Sequence, residues 1–143
     1  MKSISKYISY LEAITSQTAT RKAILNIPND LQLINMQLVG IRVFDVVREH
    51  FNKPMRVSSF YRSDLLNKAV GGSKTSQHVK GQAIDIQATN GLTNKEVFNY
   101  IKDNLDFDQL IWEFGNKSNP AWVHVSYVSQ EKNRKQILYI GVK

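Results

Sequence analysis

The sequence has no cysteine among its 143 residues. That excludes disulfides and every metal site built on thiolate, the usual material of a closed structural zinc site. It leaves the redox compartment open. No apolar run approaches the roughly 18 residues that a membrane-spanning helix requires. The start, Met1-Lys-Ser-Ile-Ser-Lys-Tyr7, is polar and amphipathic and lacks the continuous apolar core of a secretory signal. We therefore expect the chain to stay in the cytoplasm where it is made, or to leave by a route not written in its N-terminus. Internal repeats, low-complexity segments and linkers are lacking too. Acidic residues are in short supply, 12 against 19 Lys and Arg, for a formal charge of +7. A basic surface favours anionic partners: nucleic acid, acidic membranes or the bacterial cell wall. No long Lys/Arg run accompanies that charge. The densest cluster, Glu131-Lys-Asn-Arg-Lys135, reads as a solvated turn between two strands. Gly71-Gly72 lacks the Lys-Ser/Thr of a phosphate-binding loop and reads as a helix stop.

What is present suits one globular domain, residues 1–143. The length supports a real core, and 42% hydrophobic residues can fill it. Residues 3–15 read as a short helix with Ile4, Ile8, Leu11 and Ile14 on one side, followed by a loop over 15–21. Asn29 or Asp30 reads as an N-cap. Behind it, Leu31, Ile34, Leu38, Ile41, Phe44 and Val46/Val47 recur near the helical period, predicting a long helix over 30–50 with that face in the core. Residues 64–70 predict a short helix. Thr93 predicts the cap of another through about Leu105, burying Val97, Tyr100 and Ile101. Strands are predicted over 55–59, 83–87, 109–113, 122–126 and 136–140. Helices first and strands later imply an α+β fold, a mostly antiparallel sheet of about four strands packed with N-terminal helices.

The densest chemistry lies in Ser76-Gln-His-Val-Lys-Gly-Gln-Ala-Ile-Asp85 and, far downstream, Trp122-Val-His124. Asp85 lies in a period-two stretch, on the face opposite Ile84 and Ile86. His124 likewise alternates with Val123 and Val125. If the two strands are neighbours, Asp85 and His124 project into one cleft on one sheet face, and the turn at Gly81 brings His78 to them. Two imidazoles and a carboxylate suit Zn²⁺ with one coordination position free, the pattern of a catalytic site. Zinc in such a site lowers the pKa of water and polarises a carbonyl.

Ser76-x-His78-x-x-Gly81-x-Ala83-x-Asp85, preceded by Ser58-Ser-Phe-Tyr-Arg-Ser63 and followed by Trp122-Val-His-Val-Ser-Tyr127, resembles the zinc D-Ala-D-Ala carboxypeptidase family, peptidase M15, and its short phage-type branch most closely. The similarity runs from about Ser16 to Tyr127. It implies that His78, Asp85 and His124 are zinc ligands, and that the substrate is peptidoglycan peptide with a bond next to a D-amino acid. It implies further that Arg62 faces the cleft and stabilises the carbonyl oxygen as charge develops. Ser76 either contacts substrate or fixes the His78 loop. Gln77 and Tyr127 are candidate cleft residues.

The sequence departs from the family at one point. Many members carry an acid three residues before the last His, or a second His two before it. Here those positions are Ala121 and Trp122. The general base is then expected from elsewhere, Glu113 first and Asp108 in reserve. The function expected is a monomeric zinc metallopeptidase of the endolysin type, phage or prophage derived, acting from the host cytoplasm or with a virion. The alternative is a non-catalytic zinc-containing virion component that only grips the wall. A nucleic-acid binder rests on charge alone.

Overall fold

A computed structural model describes residues 2–143; Met1 of the expected domain lies outside them. The elements run α1 (Tyr10–Ile14), α2 (Gln17–Arg21), α3 (Asp30–Val39), a π-helical turn (Gly40–Phe44), α4 (Asp45–Phe51), β1 (Met55–Ser59), α5 (Asp64–Ala69), a 3₁₀ turn (Gln77–Lys80), β2 (Ala83–Ala88), α6 (Asn94–Asn104), β3 (Gln109–Glu113), β4 (Trp122–Ser126) and β5 (Gln136–Ile140). The class is α+β, as expected. The strands form one sheet in the order β1-β2-β4-β3-β5. It has five strands rather than about four. The first four pair antiparallel, and β5 joins the edge parallel to β3.

Strand alternation divides the sheet into two chemically distinct faces. Ile84, Ile86, Leu110, Trp112, Val123 and Val125 point one way and are all buried in the hydrophobic core. The register sets Asp85 opposite His124 and His124 opposite Ile111. Asp85 and His124 therefore share the other face, and Glu113, two residues beyond Ile111, shares it with them.

The N-terminal third differs from the periodic reading. Residues 3–9 are not helical. Buried Asp45 accepts hydrogen bonds from Ser5 Oγ at 2.9 Å, the Lys6 N–H at 3.0 Å and the Tyr7 N–H at 3.2 Å. Those amides are thereby drawn to α4 instead of an i−4 carbonyl. Helix begins only at Tyr10, so Leu11 is 71% exposed while Ile4 and Ile8 stay buried. The expected loop over 15–21 instead holds α2, capped by Ser16.

The expected 30–50 helix is interrupted by the π turn; Phe44 and Val47 are buried as expected, but ahead of them a different face turns inward. Leu31, Ile34 and Ile41 are each more than half exposed, whereas Met36, Val39 and Val43 are fully buried. The segment carries two apolar stripes, both at helical spacing, and apolar periodicity does not choose between them. Polar contacts do. Gln32 Nε2 donates to the Val79 carbonyl at 3.0 Å and Asn35 Nδ2 to that of Lys80 at 2.9 Å. These bonds turn the Met36 side of α3 towards the 3₁₀ turn that carries His78.

Candidate metal centre

Three elements bring His78, Asp85 and His124 together. All three are buried, and one ligand atom from each lies within 4.8 Å of the others. Asp85 and His124 meet as cross-strand partners, with His124 Nδ1 at 3.0 Å from Asp85 Oδ1. His78 arrives from the 3₁₀ turn, its Nε2 at 3.3 Å from Asp85 Oδ2. The turn closes at Gly81, whose φ of +73° lies in the left-handed region. A Cβ there would also sit 2.6 Å from the Gln32 carbonyl oxygen, so glycine is required twice over.

A bulge in β1 supplies the remaining geometry. Val57 pairs with Ile86 but Ser59 with Asp85, so Ser58 is the extra residue. The Ser58 hydroxyl donates to the Asp85 carbonyl at 3.3 Å. The strand then runs into Phe60, whose carbonyl lies 2.6 Å from His78 Nδ1. A carbonyl can only accept, so Nδ1 carries the proton and Nε2 presents its lone pair to the cluster. His78 Nε2 is buried with no hydrogen-bond partner. Burial pushes the His78 imidazolium pKa down, against the pull of Asp85, so the ring is neutral. A neutral imidazole held by a second hydrogen bond is how proteins present nitrogen to a metal.

Asp85 completes the donor set. Burial opposes its ionisation most, but its polar neighbours, the His124 Nδ1 at 3.0 Å among them, hold its carboxyl well below the usual carboxylate range. It is therefore an anion. Two imidazole nitrogens and one carboxylate oxygen, in a cluster with an orphaned nitrogen lone pair, fit a divalent ion of the zinc type.

Two further charged side chains reach the cluster. Glu113 Oε1 lies 3.5 Å from His124 Nδ1. Burial pushes the Glu113 carboxyl up, and Asp85 adds to this against His124 and Arg62. Arg62 Nη2 lies 3.8 Å from Asp85 Oδ2. Its guanidinium is fixed by donating from Nε to Ser59 Oγ at 3.2 Å and from Nη1 to Asn67 Oδ1 at 3.0 Å. A cavity of about 710 Å³ reaches Arg62, and one of about 410 Å³ reaches His124.

The other expected site residues fall as follows. Ser76 caps the 3₁₀ turn by accepting from the His78 N–H at 3.3 Å, and it also lines the smaller cavity. Gln77 lines that cavity too. Tyr127 is packed in the hydrophobic core, 6% exposed, because its neighbour Ser126 takes the cleft-facing position of β4. Asp108, the reserve base, is committed elsewhere: it accepts from Arg134 and from Gln77. Sequence reasoning missed Asn67, Phe60 and Arg134. Only Phe60 and Asn67 had a signal, Phe60 inside the Ser58–Ser63 motif and Asn67 in the short helix beside it.

A family model described as Peptidase M15 matches residues 6–126. No curated protein sequence matches the chain. The matched span ends on the last residue of β4, two residues beyond His124.

Proposed function

Since the chain belongs to the peptidase M15 family, we propose that it is a zinc-dependent hydrolase of peptide bonds in bacterial peptidoglycan, working as one monomeric domain over residues 1–143. His78, Asp85 and His124 would hold the ion. Zinc, when bound there, supplies Lewis acidity and a more acidic water. The observation that carries the reading is that Glu113 and Arg62, the two residues a hydrolysis needs beyond the ligands, both reach the same three-residue cluster.

Glu113 takes a proton from the attacking water as the new C–O bond forms. It returns that proton to the leaving amine nitrogen as the C–N bond breaks. Its raised carboxyl suits it to both halves of the exchange. Ser59 and Asn67 hold Arg62 in advance, so its charge meets the developing oxyanion without reorganisation. The +7 charge favours residence on anionic wall polymer. No helix among the described residues is long and apolar enough to cross a membrane. An endolysin-type enzyme, phage derived and reaching the wall from the host cytoplasm or with a virion, accords with these properties.

Digestion of purified peptidoglycan tests the reading. Chelation should stop fragment release and added zinc should restore it. Glu113→Gln should keep zinc and lose at least a hundredfold in turnover, within the usual worth of a general base. Fragment masses then distinguish D,D-carboxypeptidase, D,D-endopeptidase and L-alanyl-D-glutamate endopeptidase action. The second reading, a non-catalytic wall-binding component, rests on the positions Ala121 and Trp122, where many members carry an acid or a second His. Zinc-loaded protein that sediments with peptidoglycan but releases no fragment would establish it instead.

A further inference from the structure

The smaller cavity carries a built charge arrangement that the hydrolytic residues do not use. Asp108 is 2% exposed at the entry to β3. Its Oδ1 accepts from the Arg134 N–H at 2.9 Å and from Arg134 Nε at 3.0 Å; its Oδ2 accepts from Arg134 Nη2 at 2.8 Å and from Gln77 Nε2 at 2.9 Å. Those four bonds use the whole accepting capacity of a carboxylate. Both partners so held, Arg134 and Gln77, line the cavity that His124 also lines.

Each partner is left with a capacity unmet. Only the Nε/Nη2 edge of Arg134 is engaged with Asp108. Nη1 and one Nη2 hydrogen are free to donate, and the side chain is 57% exposed. Gln77 Oε1 is buried with no partner, because the Nε2 bond to Asp108 fixes the amide orientation. Lys80 lies on the same wall. Setting Lys80 and Arg134 against Asp108 leaves that wall with one net positive charge. A guanidinium pinned along one edge is pre-organised to take an anion along the other, without the ordering cost of a free arginine.

We propose that Arg134, positioned by Asp108, forms a carboxylate subsite on the His124 side of the centre and selects substrates with a free carboxylate near the scissile bond. Arg134 is a specificity residue and Asp108 a positioning residue; neither acts on the reacting atoms. This rests on the hydrolase reading above. The carboxylate is either the C-terminus of a wall peptide or a carboxylate within it.

Three synthetic stem pentapeptides test it: all carboxylates free, the internal one amidated, and the C-terminal one amidated. With the wild-type zinc enzyme, one of the two amidations should lower kcat/KM at least tenfold, mainly through KM, and identify the source. Arg134→Gln should impose the same loss on the free peptide and none on the sensitive amide. Arg134→Lys should recover part of it. Asp108→Asn should raise KM for the free peptide with kcat kept. Equal losses from Arg134→Gln on all three peptides would reduce the clamp to a structural anchor, and insensitivity of the wild type to both amidations would also overturn the subsite. If the wild type cleaves none of them, the hydrolase reading fails separately. Calorimetric binding of the same peptides to the zinc-loaded protein then decides: an Arg134-dependent preference for a free carboxylate supports the subsite, and equal affinities reject it.

Discussion

His78 uses its two ring nitrogens for different tasks, and the backbone decides which does which. Nδ1–H is bound by the Phe60 carbonyl, so only Nε2 can serve as a ligand. His78→Ala should therefore lower bound zinc from about one equivalent to a small fraction, whereas Glu113→Gln should retain it; metal analysis after gel filtration reads both. That Asp85 and His124 meet on one sheet face was legible in the sequence, because alternation encodes the strand face. Asp85 and His124 alternate with Ile84, Ile86, Val123 and Val125, and burial of those apolar residues forces the polar ones out together. Glu113 was expected at the end of β3 for want of an acid before His124, and the register sets it on that face. Tyr127, one residue past the end of β4, continues the alternation of Val123 and Val125 into the core, so the pattern that turns His124 to the cleft turns Tyr127 away from it. The Asp108–Arg134–Gln77 group was illegible because it joins residues 26 and 31 positions apart across a loop, turn and strand. Asp108 also makes a pH prediction. The Arg134 fork holds its carboxyl at about 2, against an ordinary 3.8. A carboxylate depressed by folding contributes stability that is present above the unfolded value and lost as pH falls through the folded one. In the metal-free protein, the stability gap between wild type and Asp108→Asn should hold near pH 6 and shrink between about pH 4 and pH 2. Urea titrations at those pH values measure it, and a gap that widens on acidification would reverse the assignment.

The elements differ in how locally they are determined. Two helices announce themselves through capping boxes, Asn29 with Gln32 and Thr93 with Glu96. Both were readable because the bonds span three residues. The N-terminal segment was not readable, because Asp45 holds it from about 40 residues away. The orientation of α3 was hidden behind its second apolar stripe. Gln32 illustrates the overlap of tasks: its Oε1 accepts from the Asn29 N–H at the helix start, and its Nε2 ties down Val79. The consequence is that α3 buttresses the turn carrying His78, and Gly81 is the point of contact. Gly81→Ala should destabilise the protein by about 2–4 kcal/mol, combining the left-handed backbone cost with overpacking against Gln32 and Met36. Urea unfolding measures the loss, and zinc affinity should fall with it because His78 moves. An Ala variant as stable as wild type would mean the turn can relax without α3. Thr93→Ala, by contrast, should cost only about 1 kcal/mol as a lost cap, and leave zinc affinity unchanged.

At the scale of the whole molecule, the α+β class followed from the order of helical and alternating segments, but the strand order did not. Nothing in the local pattern of residues 136–140 tells that β5 crosses back to pair parallel with β3 instead of extending the antiparallel run. That choice is made by long-range pairing. Long-range pairing also creates the His78–Asp85–His124 cluster, whose candidate donors come from the 3₁₀ turn, β2 and β4, far apart in sequence. In the unfolded chain those donors are separated, so zinc should bind the folded state far more tightly. Stabilisation by a ligand of the folded state grows as RT ln(1 + [L]/Kd), roughly 4 kcal/mol at a thousandfold excess over Kd. For a chain of this size each kcal/mol is worth about 3–4 °C. Zinc at that excess should therefore raise Tm by about 12–16 °C over the chelated protein, as read by scanning calorimetry. The shift should vanish in His78→Ala and His124→Ala. It should persist in Glu113→Gln and Arg134→Gln, which leave the donors in place. A zinc-induced shift that survives loss of both histidines would locate the ion elsewhere on the molecule. No shift in the wild type, at zinc concentrations that sustain peptidoglycan cleavage, would separate the hydrolysis from this cluster.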